Sequence, residues 1–254
     1  SSYAQASTPL SAGSIRQQFS IKGNIEMSLE SIEFLRHTDE HLRLFPEDDD
    51  VPDIQLVEGG YLFLAQSSSG CETLSGNFEL QKAQGADVEL LNPQQLASKF
   101  PWLNVEDVNL GCFGRSGEGW FDPWALLTAF RRKAIGMGVE YIEEECSGMQ
   151  TTSSAVTSVQ LQSGRSINCS TVVNAAGGWA NEVCEFAGII GCPVRRRKRM
   201  IFVVHCPTGP VLDCPLVVDP SGVYFRREGS GGNFICGEHD SVARLCKFCR
   251  YPSM

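Results

Sequence analysis

Residues 171–188 read TVVNAAGGWANEVCEFAG, and the reading of the whole chain turns on them. Thr171, Val172 and Val173 form a β-branched run that suits a buried strand. The run gives way to Asn174-Ala175-Ala176-Gly177-Gly178, where little side chain keeps a neighbour away. Trp179, Val183, Phe186 and Ala187 then recur at helical spacing, and Gly188 is a stop signal. Strand, small-residue turn and helix together make a surface on which a phosphate or a flat ring can settle, with helix N–H groups aimed at it. The same turn would serve plain strand–helix packing, and spacing alone does not separate the two.

Working outward, residues 156–161 and 165–169 alternate around Ser163-Gly164 and predict a hairpin leading into the 171–173 strand. Residues 139–142 read as a further strand. Asp122-Pro123 predicts an N-cap for a helix through Met137 that Gly138 stops; capping explains Asp122 better than a role as catalytic acid. Downstream, the cations at 195–199 precede a strand at 200–205 and read as a sheet edge with alternate residues solvated. Residues 215–219, 222–227 and 233–237 predict three short antiparallel strands. Towards the start, 26–45 has the rhythm of one amphipathic helix. Strands are expected at 60–65, 88–91 and 109–113, with helices at 71–83 and from Asn92-Pro93 to before Pro101. The acidic run 47–50 reads as solvated loop. The segment 239–254 has no period; its Cys246/Cys249 pair with His239 lacks the spacing of a zinc site. Within 15–19, Arg16 lies between the anchors Ile15 and Phe19. It reads either as part of a pinned loop or as a cation offered to an anion.

The 254 residues are 42% apolar and 20% charged, enough for a sizeable core. A net charge of −9 argues against nucleic acid as the main partner, and no apolar run is long enough to span a membrane. The 11 cysteines show no framework spacing, which predicts free thiols and a reducing compartment. The opening residues lack the pattern of a targeting peptide, and the chain is expected to begin within a domain.

Several stretches resemble the D-amino-acid oxidase and sarcosine oxidase superfamily of flavoproteins. They are STPLSAGSIRQQF at 7–19, GWFDPWALLTAFRRKAIGMGVEY at 119–141, the VVNAAGxW pattern at 172–179 and PLVVDPSGVYFRREGSGGNFICG at 215–237. The resemblance covers roughly 2–237 and implies an α/β flavoprotein: a mixed sheet with flanking helices, and a largely antiparallel sheet on the substrate side. It implies FAD as cofactor and a small amine or amino acid as substrate, whose C–N carbon gives up a hydride equivalent. By position, Ser7, Thr8, Gly13 and Ile15 would lie against the pyrophosphate and flavin edge, and Cys146 at the adenine edge. Ala175, Ala176, Gly177 and Trp179 would pass beside the dinucleotide. Arg16, Tyr224 and Arg226 would face the substrate. The implied division places 1–45 and 117–195 with the cofactor and 46–116 and 196–238 with the substrate, leaving 239–254 as a divergent tail.

The superfamily's opening GxGxxG turn and its closing segment over the flavin have no counterpart here, so the expectation is a fragment that does not hold flavin alone. One member that the chain resembles is mitochondrial and associated with assembly of respiratory complex I. That implies a mitochondrial location and, as partners, complex I subunits or assembly intermediates. It also opens an alternative, a non-catalytic assembly factor that keeps the flavin fold.

Overall fold

The computed structural model describes residues 3, 5–45, 51–210 and 214–238. The acidic run 47–50 and the tail 239–254, with His239 and the Cys246/Cys249 pair, lie outside them. The chain forms two compact units, Ser11–Lys133 with Arg199–Met254, and Ser1–Leu10 with Ala134–Lys198. Residues 11–45 and 117–133, grouped with the cofactor part in the division expected from sequence, thus fall in the larger unit.

The larger unit opens with β1 (Ser14–Ile15), α1 (Lys22–Arg36) and α2 (Thr38–Leu42), followed by β2 (Tyr61–Ala65), α3 (Ser68–Ala83) and β3 (Val88–Leu91). Next come α4 (Pro93–Lys99), β4 (Leu110–Gly114), β5 (Gly119–Trp120) and α5 (Pro123–Gly136). The smaller unit contributes β6 (Cys146–Thr151), β7 (Val156–Leu161), β8 (Ser166–Asn168) and α6 (Ala180–Phe186). The chain then returns to the larger unit with β9 (Ile201–His205), β10 (Leu216–Val218), β11 (Val223–Glu228) and β12 (Asn233–Glu238).

Seven strands of the larger unit form one mixed sheet in the order β3-β4-β2-β10-β11-β12-β9. Its pairs are antiparallel except β10 on β2. Period-two alternation sorts the side chains of β2. Leu62 and Leu64 join Leu91, Leu96, Phe113 and Val217 in a core on the α4 side. Tyr61 and Phe63 point the other way, the side on which Cys112 and Val88 pack with Ile25 of α1 and Leu74 and Phe78 of α3. Register carries that second face across the sheet, because Val218 stands opposite both Phe63 and Tyr224. The helix caps follow the sequence. Asn92 and Gln95 form a reciprocal capping box at α4. Asp122 Oδ1 accepts the N–H groups of Trp124 and Ala125 at 2.8 and 3.1 Å, opening α5.

Four expectations need correction. Residues 26–45 are two helices: His37 leaves helical geometry, with its Nδ1–H donating to Glu33 O. Residues 139–142 form no strand, and among the described residues no strand of their unit pairs with them. Instead Glu140 pairs with Arg165, and the Tyr141 hydroxyl meets that of Tyr3. The 171–173 run is likewise not a strand. The sheet of the smaller unit ends at β8, and Val173 is 85% exposed. A β-branched run becomes a strand only where another edge can take its N–H and C=O groups. β9 does sit at the sheet edge, but it is solvated on both faces rather than alternately, leaving Phe202, Val203 and Val204 exposed. β6, which the residue pattern does not announce, pairs along β7 with two register shifts.

Candidate functional site

The loop after β1 carries Arg16 onto the sheet face that bears Tyr61 and Phe63. These two side chains, two residues apart on one strand, stack at 5.4 Å. The Arg16 guanidinium carbon lies 4.7 Å from the Phe19 ring centre, 5.2 Å from that of Phe63 and 5.8 Å from that of Tyr61. Such cation–ring contacts hold a guanidinium without consuming its N–H donors. Among the described residues those donors have no hydrogen-bond or ion-pair partner. Arg16 lines a cavity of about 460 Å³ whose walls also include Ser14, Ile15, Asn24, Ser28 and Ser31. A second hollow, of about 550 Å³ beside Phe34, His37 and His41, is lined by Glu30 and Glu33 and by no Lys or Arg. Its charge suits an anionic ligand less well.

The Arg16 loop is gripped from two sides. Ser28 Oγ of α1 donates to Arg16 O at 2.5 Å. Glu118, wholly buried just before β5, accepts the N–H of Gln17 at 2.5 Å and that of Gln18 at 3.0 Å on Oε1. Its Oε2 accepts Gln18 Nε2 at 2.8 Å, and the same amide nitrogen donates to Tyr61 O at 3.0 Å. Burial pushes the Glu118 carboxyl up to about 7, against the pull of these donors and of the Arg16 charge. Gly114 makes room for it: a Cβ there would stand 1.7 Å from Glu118 Oε2.

Tyr224 shares this face. It packs with Tyr61, Leu216 and Val218, and its ring lies across Gly237, where a Cβ would sit 2.4 Å from the phenol oxygen. Burial raises its hydroxyl's pKa. Arg226 is on the same face, with Nε and Nη1 of its guanidinium committed within the protein. It is buried over Trp120 and donates to Ala12 O at 2.9 Å, Arg227 O at 2.7 Å and Glu228 Oε2 at 2.6 Å. Through Nη1, Arg226 thus bonds within β11, to Arg227 and Glu228, and through Nε it ties the strand to Ala12. Gly13, next along, has φ +58°, and its would-be Cβ points at Phe121 O, 2.4 Å away. Its lack of side chain serves protein packing there.

In the smaller unit, Ser7 and Thr8 lie exposed in turns. Cys146 begins β6. Gly177 has φ +54°, with nothing within 4 Å of a would-be Cβ, and Ala175 is exposed beside it, so the turn presents bare backbone. One face of Trp179 is taken by Arg196, 5.5 Å away and paired with Glu182. Among the described residues no cluster of three or more His, Cys, Asp or Glu could hold a metal ion, and no helix is long and apolar enough to cross a membrane.

The face that carries the sequence candidates Arg16 and Tyr224 also carries Tyr61 and Phe63, with Phe19 and Glu118 beside the Arg16 loop, and the sequence reading named none of these four as a site residue. The Tyr61-x-Phe63 alternation was a readable signal for a one-sided aromatic face. Glu118 carried none, since nothing local marks a carboxylate for burial.

The family follows from the chain as a whole. The profile of the FAD dependent oxidoreductase family matches residues 1–246, and the chain belongs to that family. It is 47% identical, over 93% of its length, to FAD-dependent oxidoreductase domain-containing protein 1 of Xenopus laevis and spans 52% of that relative. It thus covers about half the length of such curated relatives. Mouse mitochondrial sarcosine dehydrogenase is 28% identical over 62% of the chain and 18% of its own length. The fold matches L-proline dehydrogenase of P. horikoshii with a TM-score of 0.73 and 23% identity, over 89% of this chain and 58% of that one. The family's cofactor is FAD. The open backbone at Ala175–Gly177 fits the edge of a dinucleotide, and Ile15 beside Arg16 fits a flat ring.

Proposed function

We propose that this chain is the substrate-facing half of an FAD-dependent oxidoreductase acting at the C–N bond of a small amino acid or N-methyl amino acid. The observation that carries the reading is Arg16: a ring-stacked guanidinium on a cavity wall, its donors unused by the described residues. A substrate carboxylate would take those donors in a charge-assisted pair, fixing the molecule by its acid end. Tyr61, Phe63 and Tyr224 supply an apolar floor that excludes water from the carbon to be oxidised. Ala175, Ala176 and Gly177 would meet the dinucleotide with backbone, with Ser7, Thr8, Gly13, Ile15, Cys146 and Trp179 as the remaining contacts assigned by resemblance. When bound, FAD supplies the two-electron acceptor. The mitochondrial label of the sarcosine dehydrogenase relative supports a mitochondrial location.

The test is binding of sarcosine to the full chain, with and without added FAD, followed by anaerobic mixing while flavin absorbance is recorded. Saturable sarcosine binding that falls about tenfold or more in Arg16→Ala is expected, the loss of one charge-assisted contact. Sarcosine binding equal in wild type and Arg16→Ala would overturn the reading. The same titration decides whether the chain holds flavin unaided.

A second reading, partner binding during assembly of respiratory complex I, is favoured by one observation. Edge strand β9 exposes Phe202 at 57% and Val203 at 69%. Capture of complex I intermediates by the wild-type chain, lost in Phe202→Glu, is its test; equal capture by both would remove it.

A further inference from the structure

We propose that Glu118 is the positioning residue for Arg16, its buried carboxylate holding the Gln17 and Gln18 amides so that the guanidinium stays among the rings and faces the cavity. The inference rests on the reading of Arg16 as the anion anchor and adds the device that aims it.

Three donors converge on one carboxylate, and two of them belong to the backbone directly after Arg16. The third comes from Gln18, which also ties the loop to Tyr61 O, so the carboxylate couples the Arg16 loop to the strand whose ring Arg16 touches. The cradle is built for this group. Gly114 lacks the Cβ that would collide with Oε2. Gly117, at φ +71°, passes close beside the Gln17 amide, and its own N–H is held by Glu58 Oε2 at 2.8 Å. Among the described residues Glu118 makes no ion pair, so simple charge balance does not account for it; the hydrogen bonds do.

The titratable and charged groups around it are few. Arg16 lies across the loop. Cys112 of β4 stays a thiol, its pKa pushed up to about 12 by burial and by the Glu118 and Glu89 charges. Glu58, behind Gly117, is held ionised chiefly by its hydrogen bond from Arg36. Protonation of Glu118 near neutrality would weaken its grip on the two amides, so loop order should follow its charge.

The experiment compares the full wild-type chain with Glu118→Gln, using hydrogen exchange of the Gln17 and Gln18 amides and acetate as the probe carboxylate, followed through the Arg16 side-chain Nε–H resonance. Positioning predicts protection of both amides about tenfold lower in Glu118→Gln, the scale of one charge-assisted hydrogen bond, and acetate binding weakened several-fold as the guanidinium loses its aim. An electrostatic role alone predicts the opposite for acetate, since removing a nearby negative charge favours anion binding. Unchanged protection, or tighter acetate binding in the variant, would overturn the proposal.

Should Glu118→Gln not fold, the wild-type chain answers alone. Protection of Gln17 and Gln18, corrected for intrinsic exchange, should fall from about pH 8 to about pH 6; a flat profile overturns it. Acetate that fails to bind wild type, while the amides loosen in Glu118→Gln, would remove the anion-anchor reading and leave the positioning role standing.

Discussion

Substituting Gly114 by alanine should be among the most damaging single-methyl changes in the larger unit. The new Cβ would stand 1.7 Å from Glu118 Oε2 and 2.4 Å from its Cδ. Ordinary carbon–oxygen contact needs roughly twice the first distance, about 3.3 Å, so something must move by about 1.5 Å. Gly114 cannot retreat, because β4 is paired on both sides, to Tyr61 and to Val88. The carboxylate must therefore shift, and its bonds of 2.5, 3.0 and 2.8 Å would stretch beyond hydrogen-bonding range. Leaving two or three buried donors unmet costs about 1–3 kcal/mol each, so between about 2 and 9 kcal/mol is expected. That is a large share of the roughly 5–15 kcal/mol stability of a typical domain. Gly76→Ala is the control: it lies within α3 with nothing within 4 Å of a would-be Cβ. Helix propensity predicts about 0.5–1 kcal/mol of stabilisation there. Urea unfolding followed by circular dichroism measures both. A Gly114→Ala protein within about 1 kcal/mol of wild type would refute the account of the Glu118 cradle.

Glu118 should also leave a pH signature. Its carboxyl titrates near 7 when folded and near 4.5 when unfolded, so between those values the folded chain keeps a proton the unfolded chain has lost. Stability contributed by this group is therefore full below 4.5 and falls by about 3 kcal/mol as pH rises to 7, then levels off. Glu58 and Asp87, whose pKa values are lowered chiefly by hydrogen bonds from Arg36 and Arg115, act below this window. Urea midpoints across the range should slope in wild type and flatten in Glu118→Gln; equal slopes would contradict the assignment. Arg226→Met should cost about 2–4 kcal/mol by stranding Ala12 O and Arg227 O, read as a fall in thermal midpoint. An unchanged midpoint would contradict a structural role for these bonds. Asp122→Ala should cost about 1 kcal/mol through the lost cap of α5 while leaving carboxylate binding at Arg16 intact. Loss of that binding would point to a role for Asp122 beyond capping.

Local chemistry settled much of this molecule. Asn92-Pro93 and Asp122-Pro123 open helices because a short polar side chain before proline satisfies the first free N–H groups wherever it occurs. The strands at 61–65, 88–91 and 110–114 and the last three strands form largely where their apolar runs sit. Motif resemblance was enough for the family and its cofactor. Strand pairing and burial were decided elsewhere. Residues 139–142 and 171–173 have strand composition, yet neither is a strand, because hydrogen-bonding an edge requires a neighbour that the run itself does not specify. The site followed the same division. Arg16 stood out as a cation among amides, but its aromatic cage joins Phe19 to Tyr61 and Phe63, some 40 residues further along the chain. Glu118 reads in sequence as one more surface acid. Only the fold, by closing Gly114, Gln17 and Gln18 around it, made it a buried group that holds the loop after Arg16, because desolvation depends on what packs against a residue and not on its neighbours in the chain.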